Sequence, residues 1–128
     1  MREMEEVMPH KVLVVDDEKY ILEETAEALI DEGYECFQAN NVDDALAILG
    51  EDPEITLVVT DLKMPGKTGA DLIKEVQMAF TRDITVIIMS GSLEDLGPDL
   101  KKFSFLLKPL GIDEFLESVE TALSLKGD

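Results

Sequence analysis

Val58-Val59-Thr60-Asp61-Leu62-Lys63-Met64-Pro65-Gly66-Lys67-Thr68-Gly69 takes an apolar run into a carboxylate and then into residues that cannot continue a strand. Proline lacks the amide hydrogen that a sheet ladder needs, and glycine weakens a strand interior, so a strand ends at Asp61 and a loop follows. In an open α/β fold, buried strands deliver reactive side chains to the crevice at the carboxyl edge of a parallel sheet. Asp61 would stand at such an edge if the rest of the chain builds such a sheet.

Outward from this stretch the pattern does so. Residues 11–15 (KVLVV) form an apolar run without alternation, as suits a strand covered on both faces, and it stops at Asp16-Asp17-Glu18. Residues 19–31 place Ile21, Leu22, Thr25, Ala28 and Leu29 at helical spacing, and Gly33 ends that helix. Residues 34–39 alternate like an edge strand. Asn41 then caps a helix that buries Val42, Ala45, Leu46 and Leu49 and ends near Gly50 and Pro53. Residues 55–60 form the third strand, with Asp61 after it, and a helix carrying Leu72, Ile73, Val76 and Phe80 follows the Pro65-Gly66 break. Residues 84–89 and 104–107 read as further strands, ending at Ser90-Gly91 and Lys108-Pro109, and a last helix buries Phe115, Leu116, Val119, Ala122 and Leu123. From Ser92 to Lys102 the pattern is poor and contains Gly97-Pro98, so the fourth helix of the alternation is expected to be short or irregular. Five strands alternating with helices predict a doubly wound parallel sheet with helices on both faces.

The chain has 128 residues, room for one core; residues 1–10, polar and ending before the first strand, are read as a flexible leader, and residues 11–126 as one domain. One cysteine and one histidine allow neither an internal disulfide nor a Cys/His metal site. With 29 acidic against 11 basic residues, the net charge of −18 repels nucleic-acid phosphates and anionic lipid. No stretch has the length or apolarity of a signal peptide or membrane span, so a cytoplasmic protein is expected that binds neither nucleic acid nor membrane.

Polar residues collect at four strand ends: Asp16-Asp17, Asp61, Ser90 and Lys108. Each alone has a plainer reading. Asp16-Asp17 could cap a helix, Asp61 could form a turn, Ser90 could end a strand, and Lys108 could be a solvated turn lysine. Together they meet in one crevice of a doubly wound sheet. Two carboxylates about 4 Å apart at an effective dielectric of about 20 repel by about 4 kcal/mol, which a hard divalent cation such as Mg²⁺ would relieve.

On Val-Leu-Val-Val-Asp16-Asp17-Glu18, Asp61-Leu-Lys-Met64-Pro65-Gly-Lys-Thr-Gly69, Ile-Ile-Met-Ser90-Gly91 and Phe105-Leu-Leu-Lys108-Pro109, the chain resembles two-component response-regulator receiver domains of the CheY-like kind over residues 11–125. The resemblance implies a flavodoxin-like strand order, 2-1-3-4-5, and a phosphoacceptor role for Asp61 in a phosphorelay. The donor would be a histidine kinase or histidine phosphotransfer protein. Asp17, Asp61 and the Lys63 carbonyl would hold Mg²⁺, with Asp16 acting through water. Ser90 and Lys108 would engage the phosphoryl oxygens, Ser90 and Phe105 would form the switch, and Lys63 and Ser92 would tune dephosphorylation. A cis bond at Lys108-Pro109 is also implied. Two features depart from the family pattern: the abbreviated segment after Ser90, on what is often an output face, and Phe105 where tyrosine is frequent. The output, a downstream protein or a further domain of a longer chain, is not specified by these residues.

Three rivals have distinct marks. Gly66-Lys67-Thr68 resembles the end of a phosphate-binding P-loop, but Asp61 occupies the position that requires glycine. A haloacid-dehalogenase-like phosphatase has D-x-D at the strand end, whereas Asp61-Leu62-Lys63 follows here. A receiver-fold interaction module that is never phosphorylated would lack site residues that this chain retains.

Overall fold

A computed structural model of the chain describes residues 10–124; most of the expected leader, residues 1–10, lies outside the described residues. The elements are β1 (Lys11–Val15), α1 (Lys19–Asp31), β2 (Glu35–Ala39), α2 (Val42–Glu51), β3 (Leu57–Asp61), α3 (Gly69–Ala79), β4 (Thr85–Ser90), β5 (Ser104–Leu107) and α4 (Ile112–Ser124). All five strands are parallel, in the order β2-β1-β3-β4-β5. The alternating edge strand is β2, and the apolar β1, β3 and β4 are central.

Alternate residues of the central strands feed two cores. Leu13, Val15, Val58 and Ile88 pack with Leu49 of α2 and with Leu72 and Val76 of α3. Val12, Val14, Val59, Ile87 and Met89 pack on the other face with Leu29 of α1 and with Phe115 and Val119 of α4. Burial on both faces is why these strands carry no polar alternation. Helix α1 also buries Ala26, and less fully the expected Ala28. Gly33 ends it with φ 94°, a left-handed conformation that a side chain would oppose.

The strand boundaries shift by one or two residues at the site. β3 begins at Leu57 rather than Ile55, because the Ile55 amide closes a turn onto the Asp52 carbonyl at 3.3 Å. It runs through Asp61, opposite Met89, and the Leu62 amide still donates to the Met89 carbonyl at 2.9 Å. Asp61 is thus the last residue of its strand, as Ser90 is of β4. Between β4 and β5, two 3-10 turns, Leu93–Asp95 and Pro98–Leu100, stand in place of an α-helix. Pro98 opens the second, where a missing amide hydrogen does no harm. The helix that is fourth in chain order, α4, is a full 13 residues.

Candidate functional site

The parallel topology brings the ends of β1, β3, β4 and β5 to one edge of the sheet. The Asp16 amide donates to the Ala39 carbonyl at 3.1 Å, so the sheet continues past β1 and holds Asp16 fully buried. Its Oδ1 accepts the Glu18 amide at 2.9 Å and tightens the turn into α1. The N-cap of α1 is Glu18, without a side-chain cap bond, so a capping role does not account for Asp16-Asp17. Asp17 is exposed, whereas Asp61 keeps 7% of its surface. One carboxylate oxygen from each of Asp16, Asp17 and Asp61 lies within 4.8 Å of the others.

Lys108 reaches in from the end of β5. Its Nζ is 3.0 Å from Asp16 Oδ2, 3.2 Å from Asp61 Oδ1 and 3.9 Å from Glu18 Oε1. Burial alone would lower the Lys108 pKa, but the hydrogen bond and charge of Asp16, with those of Asp61, outweigh it and raise it. Lys108 therefore stays an ammonium. Burial raises the Asp61 pKa; Lys108 opposes the rise, and the charges of Asp16 and Asp17 add to it. One ammonium does not balance three carboxylates. The uncompensated charge and the all-oxygen donor set fit a hard divalent cation such as Mg²⁺. The Lys108–Pro109 bond is cis, as the resemblance implies.

Ser90 and Lys63 are engaged elsewhere. The Ser90 hydroxyl donates to the Ser92 carbonyl at 3.0 Å, has Asp95 Oδ2 at 3.4 Å, and accepts the Ser92 amide at 3.2 Å. Lys63 Nζ pairs with Asp95 Oδ1 at 3.0 Å while its side chain remains 75% exposed. Asp95 thus joins the loop after Asp61 to the turn after Ser90. The sequence reading missed it, since nothing local relates Asp95 to Lys63, 32 positions earlier. The Ser92 side chain caps its own turn by accepting the Glu94 amide. Phe105 is 39% exposed on β5, and its neighbour Leu106 is buried.

Gly69, part of the stretch that follows Asp61, has a further role at the start of α3. A Cβ there would lie 2.5 Å from the Asp61 carbonyl oxygen and 3.0 Å from Leu62 Cα. The glycine lets α3 approach the end of β3, and its position after a loop gave no sign of so close a contact.

Known proteins share this fold. The response regulator receiver domain family matches residues 12–120. The chain is 35% identical over 127 residues to sporulation initiation phosphotransferase F of Bacillus subtilis, covering 95% of this chain and 100% of that protein. It is 32% identical over 121 residues to the transcriptional regulatory protein PdtaR of Mycobacterium tuberculosis, covering 91% of this chain but 58% of that one. A response regulator receiver protein from Pseudomonas putida superposes with a TM-score of 0.81 at 30% identity, over 91% of this chain and 99% of that one. A receiver domain from Clostridium thermocellum gives 0.80 at 30% identity, over 91% and 95%. With its acidic cluster at the carboxyl edge of a 2-1-3-4-5 sheet, the chain belongs to the response regulator receiver domain family.

Proposed function

We propose that Asp61 is the phosphoacceptor of a two-component phosphorelay, charged by a histidine kinase or histidine phosphotransfer protein. The observation that carries this reading is the convergence of Asp16, Asp17 and Asp61 within 4.8 Å, with Lys108 paired to two of them. The similarity to a Bacillus subtilis phosphotransferase supports it.

In the proposed transfer, an Asp61 oxygen forms a bond to phosphorus as the donor's phosphorus–nitrogen bond breaks, and the departing imidazole keeps the electron pair. Lys108 pairs with the phosphoryl oxygens as their charge shifts. Asp17, Asp61 and the Lys63 carbonyl would hold Mg²⁺, with Asp16 acting through water, and the ion when bound would neutralise charge on the transferring group. Ser90 would exchange the Ser92 carbonyl for a phosphoryl oxygen, and with Phe105 would carry the change to the surface. Lys63 and Ser92, at the mouth of the site, would set access of water and hence the lifetime of the phosphoryl group. The protein acts as a switch that assists its own phosphorylation and dephosphorylation, read by a downstream protein or domain in the cytoplasm. Its net charge of −18 argues against nucleic acid as the direct target.

Incubation with Mg²⁺ and acetyl phosphate is expected to add one acid-labile phosphoryl group, visible by intact mass, and Asp61→Asn or chelation of Mg²⁺ to abolish it. An unmodified wild-type mass under these conditions would refute the proposal. Catalytic turnover of a generic phosphate ester would point to a phosphatase instead.

A further inference from the structure

The two 3-10 turns between β4 and β5 leave a groove of about 420 Å³ against α3. Its walls include Ala70 and Ile73 of α3 and, across from them, Pro98, Leu100 and Phe103. Ile73 is buried at the floor, whereas Ala70, Leu100 and Phe103 keep part of their surface open. The groove lies outside the Asp61 cluster.

Its rim is cationic in a chain of net charge −18. Lys74 stands on α3 and Lys102 on the connection, both exposed. Lys11, Lys63, Lys67 and Lys108 each pair with a carboxylate, but neither Lys74 nor Lys102 does among the described residues. Lys102 instead lies over the Phe103 ring, 5.6 Å from its centroid. Asp99 shares the rim but forms no ion pair with either lysine among the described residues.

We infer that this groove is a docking site for a segment of a partner protein whose apolar side chains are flanked by Asp or Glu. Apolar side chains set against Ala70, Leu100 and Phe103 bury surface that water now covers. Carboxylates beside them meet two lysines that hold no carboxylate among the described residues, whereas a neutral or basic segment would leave those charges unmatched. The net negative surface around the groove makes the position of the acidic residues selective, since carboxylates elsewhere on the segment would be repelled. The inference does not depend on the chemistry of Asp61.

The test is selection of 16-residue random peptides displayed on phage against the wild-type protein, in parallel with Asp61→Asn. Selected peptides are expected to combine Leu, Ile or Phe with at least two acidic residues. A synthetic copy should bind at least tenfold more weakly to Lys74→Glu/Lys102→Glu and more weakly as NaCl rises. It should shift the amide resonances of residues 70–77 and 97–103. Lys74→Gln/Lys102→Gln should fall between, and far-UV melts confirm that the variants fold. Peptides without acidic residues, binding indifferent to charge reversal, resonance shifts on another face, or no selected peptide would overturn the inference. So would sedimentation of the free protein as a dimer broken by the charge reversal, which would make a second copy the occupant.

Discussion

At Asp61 burial outweighs an ammonium group 3.2 Å away, and its pKa ends above the ordinary carboxylate value. A carboxyl group with a raised folded-state pKa contributes stability in full below its unfolded value of about 4, and that contribution is lost as pH rises through the folded value. At neutral pH the metal-free protein therefore carries Asp61 as a destabilising charge. Asp61→Asn is expected to raise the melting temperature by several degrees at pH 7 in the presence of a chelator. The difference should close as pH falls toward 4, and Mg²⁺ should stabilise the wild type more than the variant. A lower melting temperature for the variant at pH 7 would show that its pairing with Lys108 dominates. Cys36 is a simpler case: burial pushes its thiol up to about 11 from an ordinary value of 9.0. Its thiolate fraction at pH 8 is then about a hundredfold smaller than that of a free thiol, and reaction with a disulfide reagent should slow by about that factor. Denaturant should restore it. Between pH 9 and 11 the unfolded chain ionises first, so Cys36 contributes to stability below that window and loses the contribution as pH rises through it.

For the elements, the junction of β3 and α3 is the most exacting. Thr68 and Asp71 form a reciprocal capping box, the Thr68 hydroxyl accepting the Asp71 amide at 3.2 Å and Asp71 Oδ2 accepting the Thr68 amide at 2.9 Å. Between them Gly69 brings α3 against the Asp61 carbonyl. Alanine ordinarily favours a helix over glycine by about 1 kcal/mol, but here the added methyl would meet backbone rather than a movable side chain. Gly69→Ala is expected to destabilise by about 1–3 kcal/mol in urea unfolding and to slow phosphorylation by displacing Asp61. A neutral or stabilising result would mean that α3 can move away freely. The capping box is a local device within Thr68-Gly69-Ala70-Asp71, while the reason for the glycine depends on a strand end eight residues away. Arg82 is a similar case, its guanidinium donating to the carbonyls of Leu49, Asp52 and Ile55 and tying the end of α2 to the turn before β3.

Across the whole molecule, 29 acidic residues against 11 basic ones set the balance between repulsion and pairing. The exposed pairs Lys67–Asp43 and Lys67–Glu75 contribute little individually, and salt weakens them. Repulsion among the surplus carboxylates is spread over the surface, and salt weakens that too, in the opposite sense for stability. Because, among the described residues, acidic groups outside the ion pairs outnumber those within them, raising NaCl from about 0.02 to about 0.5 M is expected to raise the melting temperature. A fall would show that the ion pairs carry more of the stability than their exposure suggests.

The sequence by itself determined the layered α/β class, the alternation of strands and helices, and the polar residues at the strand ends, because apolar periodicity, proline, glycine and capping residues act locally. It also marked Gly97-Pro98 as a place where a regular helix would not form. Only the tertiary structure decided that Asp61 belongs to its strand and is buried, and that Lys108 bridges Asp16 and Asp61. The Asp95 contacts with Lys63 and Ser90, and the close approach at Gly69, were likewise settled only there. Lys108 and Asp16 stand 92 positions apart, and Asp95 stands 32 positions after Lys63. Strand register and helix approach set such relations, and the residues of neither partner encode them alone.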